Sequence, residues 1–158
     1  MDSPENQVIS LEMLAKNEER VGQLYIVYAE TFPEMREFWS GLADDEKTHA
    51  MWIRVLEDMT HEGKLSFNSE RLKSTTILKF SSNIEKEIDK TSKTRLSLID
   101  ALSVAISIEE NLIESKYFEA LETDSTDIKR ILKDLDAATK EHAQKLREVW
   151  NLQRQRQQ

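Results

Sequence analysis

In four long stretches of this chain, apolar residues recur at alternating steps of three and four. That period fits an α-helix with one side turned to a core, and it fits no strand. The first stretch runs from about Val8 to Thr31, with the seam Leu11, Leu14, Glu18, Val21, Tyr25, Tyr28 and Phe32. The second runs from about Pro33 to Met59, through Trp39, Leu42, Glu46, His49, Ile53 and Leu56. The third, about Leu96 to Leu121, carries Ile99, Leu102, Ile106, Glu109 and Ile113. Glu110 neighbours that face, and periodicity does not choose between it and Glu109. The fourth, about Ile128 to Leu152, carries Ile128, Leu132, Leu135, Thr139, His142, Leu146 and Val149, with Ser125 or Thr126 as its N-cap.

Composition agrees with an all-α domain. Only 3 Gly and 2 Pro occur in 158 residues, too few for the tight turns of a sandwich or barrel. The length predicts one domain over 1–158, with frayed ends at about 1–6 and 153–158. Cys is absent, which excludes disulfides, thiolate metal sites, iron–sulfur clusters and thiol catalysis. A net charge of -8 argues against nucleic acid and anionic membranes as partners. No apolar run reaches the ~18 residues of a membrane span, and Met1 to Asn6 is polar, so the expected location is the cytoplasm.

The connections set the topology. Phe32–Pro33 and Thr123–Asp124–Ser125 are short, whereas His61 to Arg95 is too long for a bare loop. Ile77, Leu78, Phe80, Ile84 and Ile88 predict a short helix within that connector. Short, long, short predicts two antiparallel helix pairs joined by a crossover, a four-helix bundle. Gly63 marks the exit of the second helix. Gly41 sits inside that helix at a cost in propensity, and the expectation is that it admits a close neighbour.

The polar interruptions of the seams fall at matching depths. Glu18 lies fourteen residues before Phe32 and Glu46 fourteen after it; Glu109 lies fifteen before Asp124 and Thr139 fifteen after it. In antiparallel pairs this places Glu18 within about one turn of Glu46 and His49, and Glu109 within about one turn of Thr139 and His142. Glu18 to Glu109 is 91 positions and His49 to His142 is 93, so the halves read as diverged copies. Burying one ionised carboxylate costs several kcal/mol, and a divalent cation offsets that cost directly. Iron and manganese take carboxylate and imidazole ligands. Bundle metal sites draw one Glu from each of two helices and Glu-x-x-His from each of the others. Glu46-Lys47-Thr48-His49 meets that pattern; Thr139-Lys140-Glu141-His142 lacks its Glu.

Glu18-Glu19-Arg20-Val21-Gly22-Gln23-Leu24-Tyr25, Phe32-Pro33-Glu34 with Phe38-Trp39, and Leu42 to Ala50 resemble the small rubrerythrin-like proteins of the ferritin superfamily. Ala105 to Glu109 and Lys140-Glu141-His142 with Leu146 carry the likeness into the second half, over about residues 10 to 150. The resemblance implies a ferritin-like four-helix bundle, a di-iron-type centre and chemistry on O₂ or peroxide. It implies Glu18, Glu46, His49, Glu109 and His142 as metal ligands, and it aligns Glu109 rather than Glu110 with the family's third-helix Glu. Rubredoxin-like Cys pairs are lacking, so a redox role needs a separate electron donor. Thr139 departs from the pattern and bears on the second metal ion. Three carboxylates and two neutral imidazoles carry three negative charges against four positive charges on two divalent ions. Either another Glu, with Glu110 and Glu114 as candidates, makes up the difference, or the site holds one ion.

Plainer readings stand beside these. His61 reads as a helix-end residue. Tyr25, Tyr28 and Tyr117 read as packing residues, with Tyr25 close enough to approach the site. Trp39, Trp52 and Trp150 read as core or interface aromatics. Asp44-Asp45 and Glu85-Lys86-Glu87 read as solvated faces, and the Met residues carry no pattern. Two functions follow: a metal-dependent oxidoreductase, peroxidase- or ferroxidase-like, or a non-catalytic bundle that binds or senses and has lost all or part of the metal site. A homodimer is the expected assembly.

Overall fold

A computed structural model describes residues 4–67, 74–111 and 121–157. The described chain is a helical bundle. Helix α1 spans Pro4–Thr31, α2 Arg36–His61, α3 Ser74–Lys93, α4 Leu98–Asn111 and α5 Thr126–Arg156. A one-turn 3₁₀ helix, Pro33–Met35, links α1 to α2. Pro33 suits its first position, where no N–H is required, and Phe32 and Met35 hydrogen-bond back to Tyr28 and Phe32. Two-residue strands Ser66–Phe67 (β1) and Leu121–Glu122 (β2) pair antiparallel. They tie the connector after α2 to the one before α5, assisted by Thr123 Oγ1 donating to the Lys64 carbonyl at 2.8 Å. No helix among the described residues is long and apolar enough to cross a membrane.

Cross-helix contacts fix the directions. Arg54 of α2 reaches Glu12 and Glu19 of α1, and Gly22 lies against Ala43 and Glu46, so α1 and α2 are antiparallel. Trp150 donates to Ser103, and Arg147 pairs with Glu110, so α4 and α5 are antiparallel. The connector helix is longer than expected, 20 residues rather than a short insert. It runs along α1 in the same direction, with Asn17 Nδ2 donating to the Ile77 carbonyl and Arg20 paired with Glu85. The termini also depart from expectation: α1 is already helical at Pro4, and α5 continues to Arg156.

Two apolar clusters fill the bundle. One gathers Leu11, Leu14, Ile53, Leu56, Ile77, Ile128, Leu132 and Leu135. The other gathers Val21, Leu24, Tyr25, Tyr28, Trp39, Leu42, Ile84, Leu102, Ala105 and Leu146. The seams of α1 and α2 are buried as the periodicity predicts. In α4 the inner face is rotated from the predicted one: Ala101, Leu102, Ala105, Ile108 and Glu109 are buried, while Ile99 and Ile106 are half-buried. Ala101 and Ala105 are fully buried, and a hydropathy count undervalues such small residues. Ile113 and Tyr117 lie outside the described residues.

The helix ends follow local chemistry. Ser125 caps α5 by accepting from the Ile128 N–H. After α2, Gly63 adopts φ +75°. Its N–H bonds the Thr60 carbonyl, and Lys64 N–H bonds the Met59 carbonyl, the paired closure of a left-handed helix stop. Gly41 gives the opposite result. A Cβ there meets nothing within 4 Å, so no neighbour requires it. Gly41→Ala is therefore expected to raise stability by about 0.5–1 kcal/mol. Gly63→Ala should lower it by about 1 kcal/mol or more, because the left-handed conformation costs any residue with a Cβ. Urea unfolding of both variants checks the pair; equal effects would contradict this account of the helix end.

Candidate metal centre

Between the two apolar clusters lies a polar layer. Glu18 on α1, Glu46 and His49 on α2, Glu109 on α4, and Thr139 and His142 on α5 are all buried. On α1, α2 and α5 these residues fall at the border between one cluster and the other; on α4 Glu109 follows directly on the residues of the second cluster. Glu46 and His49 stand one helical turn apart, so their side chains share a face. Glu46, His49 and His142 offer ligand atoms that all lie within 4.8 Å of one another, a buried group that can hold a metal ion.

The contacts centre on Glu46 and His142. Glu46 Oε2 lies 3.3 Å from His49 Nδ1, and Oε1 lies 3.0 Å from His142 Nδ1. The two imidazole rings stack with centroids 5.2 Å apart. Glu109 Oε1 is 3.6 Å from the same Nδ1 of His142, and it accepts a 2.6 Å hydrogen bond from the Tyr25 hydroxyl. His142 Nε2 points the other way, to Asp45 Oδ2 at 3.0 Å.

Burial and charge set the protonation states. Burial alone would raise Glu46, but the hydrogen bonds with His142 and His49 outweigh it and hold the carboxyl below its ordinary value. Burial, then the charge of Glu46, pushes Glu109 up to about 7. Burial would lower His142, yet its contacts with Glu109 and Glu46 prevail and push it up to about 11. Burial, then the charge of Glu109, raises the Tyr25 phenol well above its usual range, so it remains a hydrogen-bond donor. Without metal at neutral pH, His142 is thus an imidazolium held against the Glu46 carboxylate, with Glu109, which titrates near neutrality, and Asp45 also beside its ring.

Not every predicted residue joins the central group. Glu18 is buried in the layer but lies outside the Glu46–His49–His142 group, as does Glu109. Gly22 lies against Ala43 and Glu46, which puts Glu18, one turn earlier on α1, near the level of His49, as the antiparallel register predicts. Glu110 is on the outer face, ion-paired with Arg147, and supplies nothing to the layer. Glu114 lies outside the described residues. Thr139 donates its hydroxyl to the Leu135 carbonyl of its own helix and brings no carboxylate. Tyr25 packs as expected and also touches the site through Glu109. The sequence reading missed Asp45, taken as a solvated face. Its place one turn before His49 on the same helix was the available signal.

Two observations bear on whether a cation fits. Glu18 Oε2 and Glu109 Oε2 are fully buried without a hydrogen-bond partner, and an acceptor-only oxygen in such a place is costly unless a cation meets it. The donor set is carboxylate and imidazole, suited to iron or manganese. The chain matches no known family model, no curated protein and no solved structure. The rubrerythrin-like reading therefore rests on the residues themselves.

The raised groups predict how metal-free stability varies with pH. Glu109 titrates higher in the fold than unfolded, so its burial begins to oppose folding above about pH 4.5 and does so fully above about 7. His142 also titrates higher in the fold; its stabilisation is complete below about pH 6.5 and is lost as pH rises toward 11. Metal-free protein should therefore unfold at lower urea concentration at pH 9 than at pH 6. Glu109→Gln should remove the part of this decline below pH 7. A flat profile in the parent protein would contradict the assigned protonation states.

Proposed function

We propose that the protein is a metal-binding bundle of rubrerythrin-like, ferritin-like kind that holds iron or manganese in its polar layer and acts on O₂ or peroxide. The buried Glu46–His49–His142 group carries this reading. Glu109 and Glu18, each with a buried and unpartnered oxygen, are the next ligands, and they favour a cation between the two apolar clusters. The 20-residue connector helix α3, running along α1, supports the crossover of a ferritin-like bundle. A bound iron ion would pass electrons singly to O₂ or peroxide, with a separate electron donor returning it to the reduced state.

The chain's own groups do the rest. With a cation bound, His142 would be neutral, with Nδ1 available as a ligand atom and Nε2–H donating to Asp45. Asp45 thereby fixes the tautomer and orientation of the ring. Tyr25 holds Glu109 by its 2.6 Å hydrogen bond and keeps its proton. The apolar clusters flank the layer on both sides. Because Thr139 replaces a carboxylate, one ion per chain is the expected occupancy.

One observation favours a second reading, a non-catalytic bundle. His142 is bonded at both ring nitrogens, so the imidazolium already neutralises part of the layer.

Metal binding discriminates. At a free Mn²⁺ or Co²⁺ concentration about 100 times the dissociation constant, binding to the folded state adds about 2.7 kcal/mol. That should raise Tm by about 5–10 °C. Glu46→Ala with His49→Ala should abolish the rise, and Asp45→Asn should weaken metal affinity by about 10-fold. Metal analysis should give one ion per chain, rising toward two in Thr139→Glu. A parent protein whose Tm does not respond to either metal, and which purifies without one, would favour the non-catalytic reading.

A further inference from the structure

Between α2 and α5 lies a cavity of about 250 Å³, lined by Thr48, His49, Trp52, Ile131, Asp134, Leu135 and Ala138. Its importance lies in one shared residue. His49 belongs to the buried polar group and also lines this cavity. His49 Nδ1 is engaged with Glu46. The lining divides by side-chain chemistry. Trp52, Ile131, Leu135 and Ala138 are apolar, whereas His49, Thr48 and Asp134 are the polar residues. Trp52, 44% exposed, stands at the mouth. Asp134 and Thr48 are exposed at the rim.

Size and charge narrow the occupant. A water takes about 30 Å³ of liquid volume, so hydrogen peroxide alone would leave most of the space empty. Pockets for larger organic ligands begin at about 300 Å³, so a nucleotide or flavin is too big. The Asp134 carboxylate at the rim and the net charge of -8 repel anions. An indole wall facing aliphatic side chains favours a flat or branched apolar body.

We infer that this cavity binds a compact, uncharged organic molecule of roughly six to ten heavy atoms with one hydrogen-bonding head, seated with that head at His49. As a binding site it stands on the cavity and its lining. As a substrate site, for example for an organic hydroperoxide, it rests on the proposed metal centre.

The test uses the full-length, metal-free protein with phenol as the probe and benzoate as its anionic counterpart. Phenol titration followed by amide and indole NMR shifts should perturb Thr48, His49, Trp52, Ile131 and Ala138 together. Benzoate should bind at least tenfold more weakly. Ala138→Phe, which fills the cavity, should weaken phenol binding at least tenfold. Trp52→Ala, at an exposed position, should weaken it as well and serves if Ala138→Phe does not fold. Shifts scattered over other surfaces, equal binding of benzoate, or indifference of phenol to both variants would overturn the inference. So would a self-association, seen by sedimentation, that Trp52→Ala dissolves and that blocks phenol. A Co²⁺ titration of the same samples separates the two readings. Cobalt binding without phenol shifts rejects the pocket and leaves the metal centre. Phenol shifts without cobalt binding support the pocket and reject the metal centre.

Discussion

The bundle is organised around a layer of ionisable groups placed where a continuous apolar core would otherwise run. Helices α1, α2 and α5 carry apolar seams that break at Glu18, at Glu46 and His49, and at Thr139 and His142, and α4 adds the buried Glu109. Two separate apolar clusters result, one on each side. Each cluster holds its share of the helices in register, and the register determines which polar atoms meet. Were the layer apolar, the bundle would be simpler and by ordinary burial arithmetic no less stable. Stability alone therefore does not account for its presence.

Charge balance decides how the layer exists without a ligand. Glu46 is ionised, Glu109 is poised near neutrality, and His142 carries the compensating positive charge. The imidazolium sits between carboxylates from α2 and α4 much as a cation would. A metal ion bound at this group would compete with the His142 proton for the same negative field, so its binding would release a proton. That competition also explains why the two functional readings share one geometry. They differ in which positive charge occupies the layer, the proton on His142 or a divalent ion.

Much of this was legible in the chain. The three-four seams are strong signals because one side of every helix must face a core, and the residues that break such a seam stand out. His142 and Glu46 were therefore identifiable as inward and level before any coordinates. The inner face of α4 was read less well. Its buried face includes Ala101 and Ala105, whose small side chains barely register in a hydropathy pattern. Asp45 escaped notice for a related reason. It is half-exposed, its neighbours are polar, and only the position of α5 turns its carboxylate into a partner for His142.

By itself the sequence determined that the chain is helical, that its helices bury a shared polar layer, and that any metal there must bind to carboxylate and imidazole, since no thiol exists. These follow from period, composition and side-chain chemistry, which are local properties. Tertiary structure alone decided that Glu109 and not Glu110 faces inward, that Gly22 and not Glu18 lies opposite Glu46, and that Asp45 orients His142. It also decided that His49 opens onto a cavity between α2 and α5. Each of these depends on helix rotation and the pivot of a turn. A rotation of one residue, about 100° around a helix, exchanges a buried group for an exposed one while leaving the sequence pattern almost unchanged.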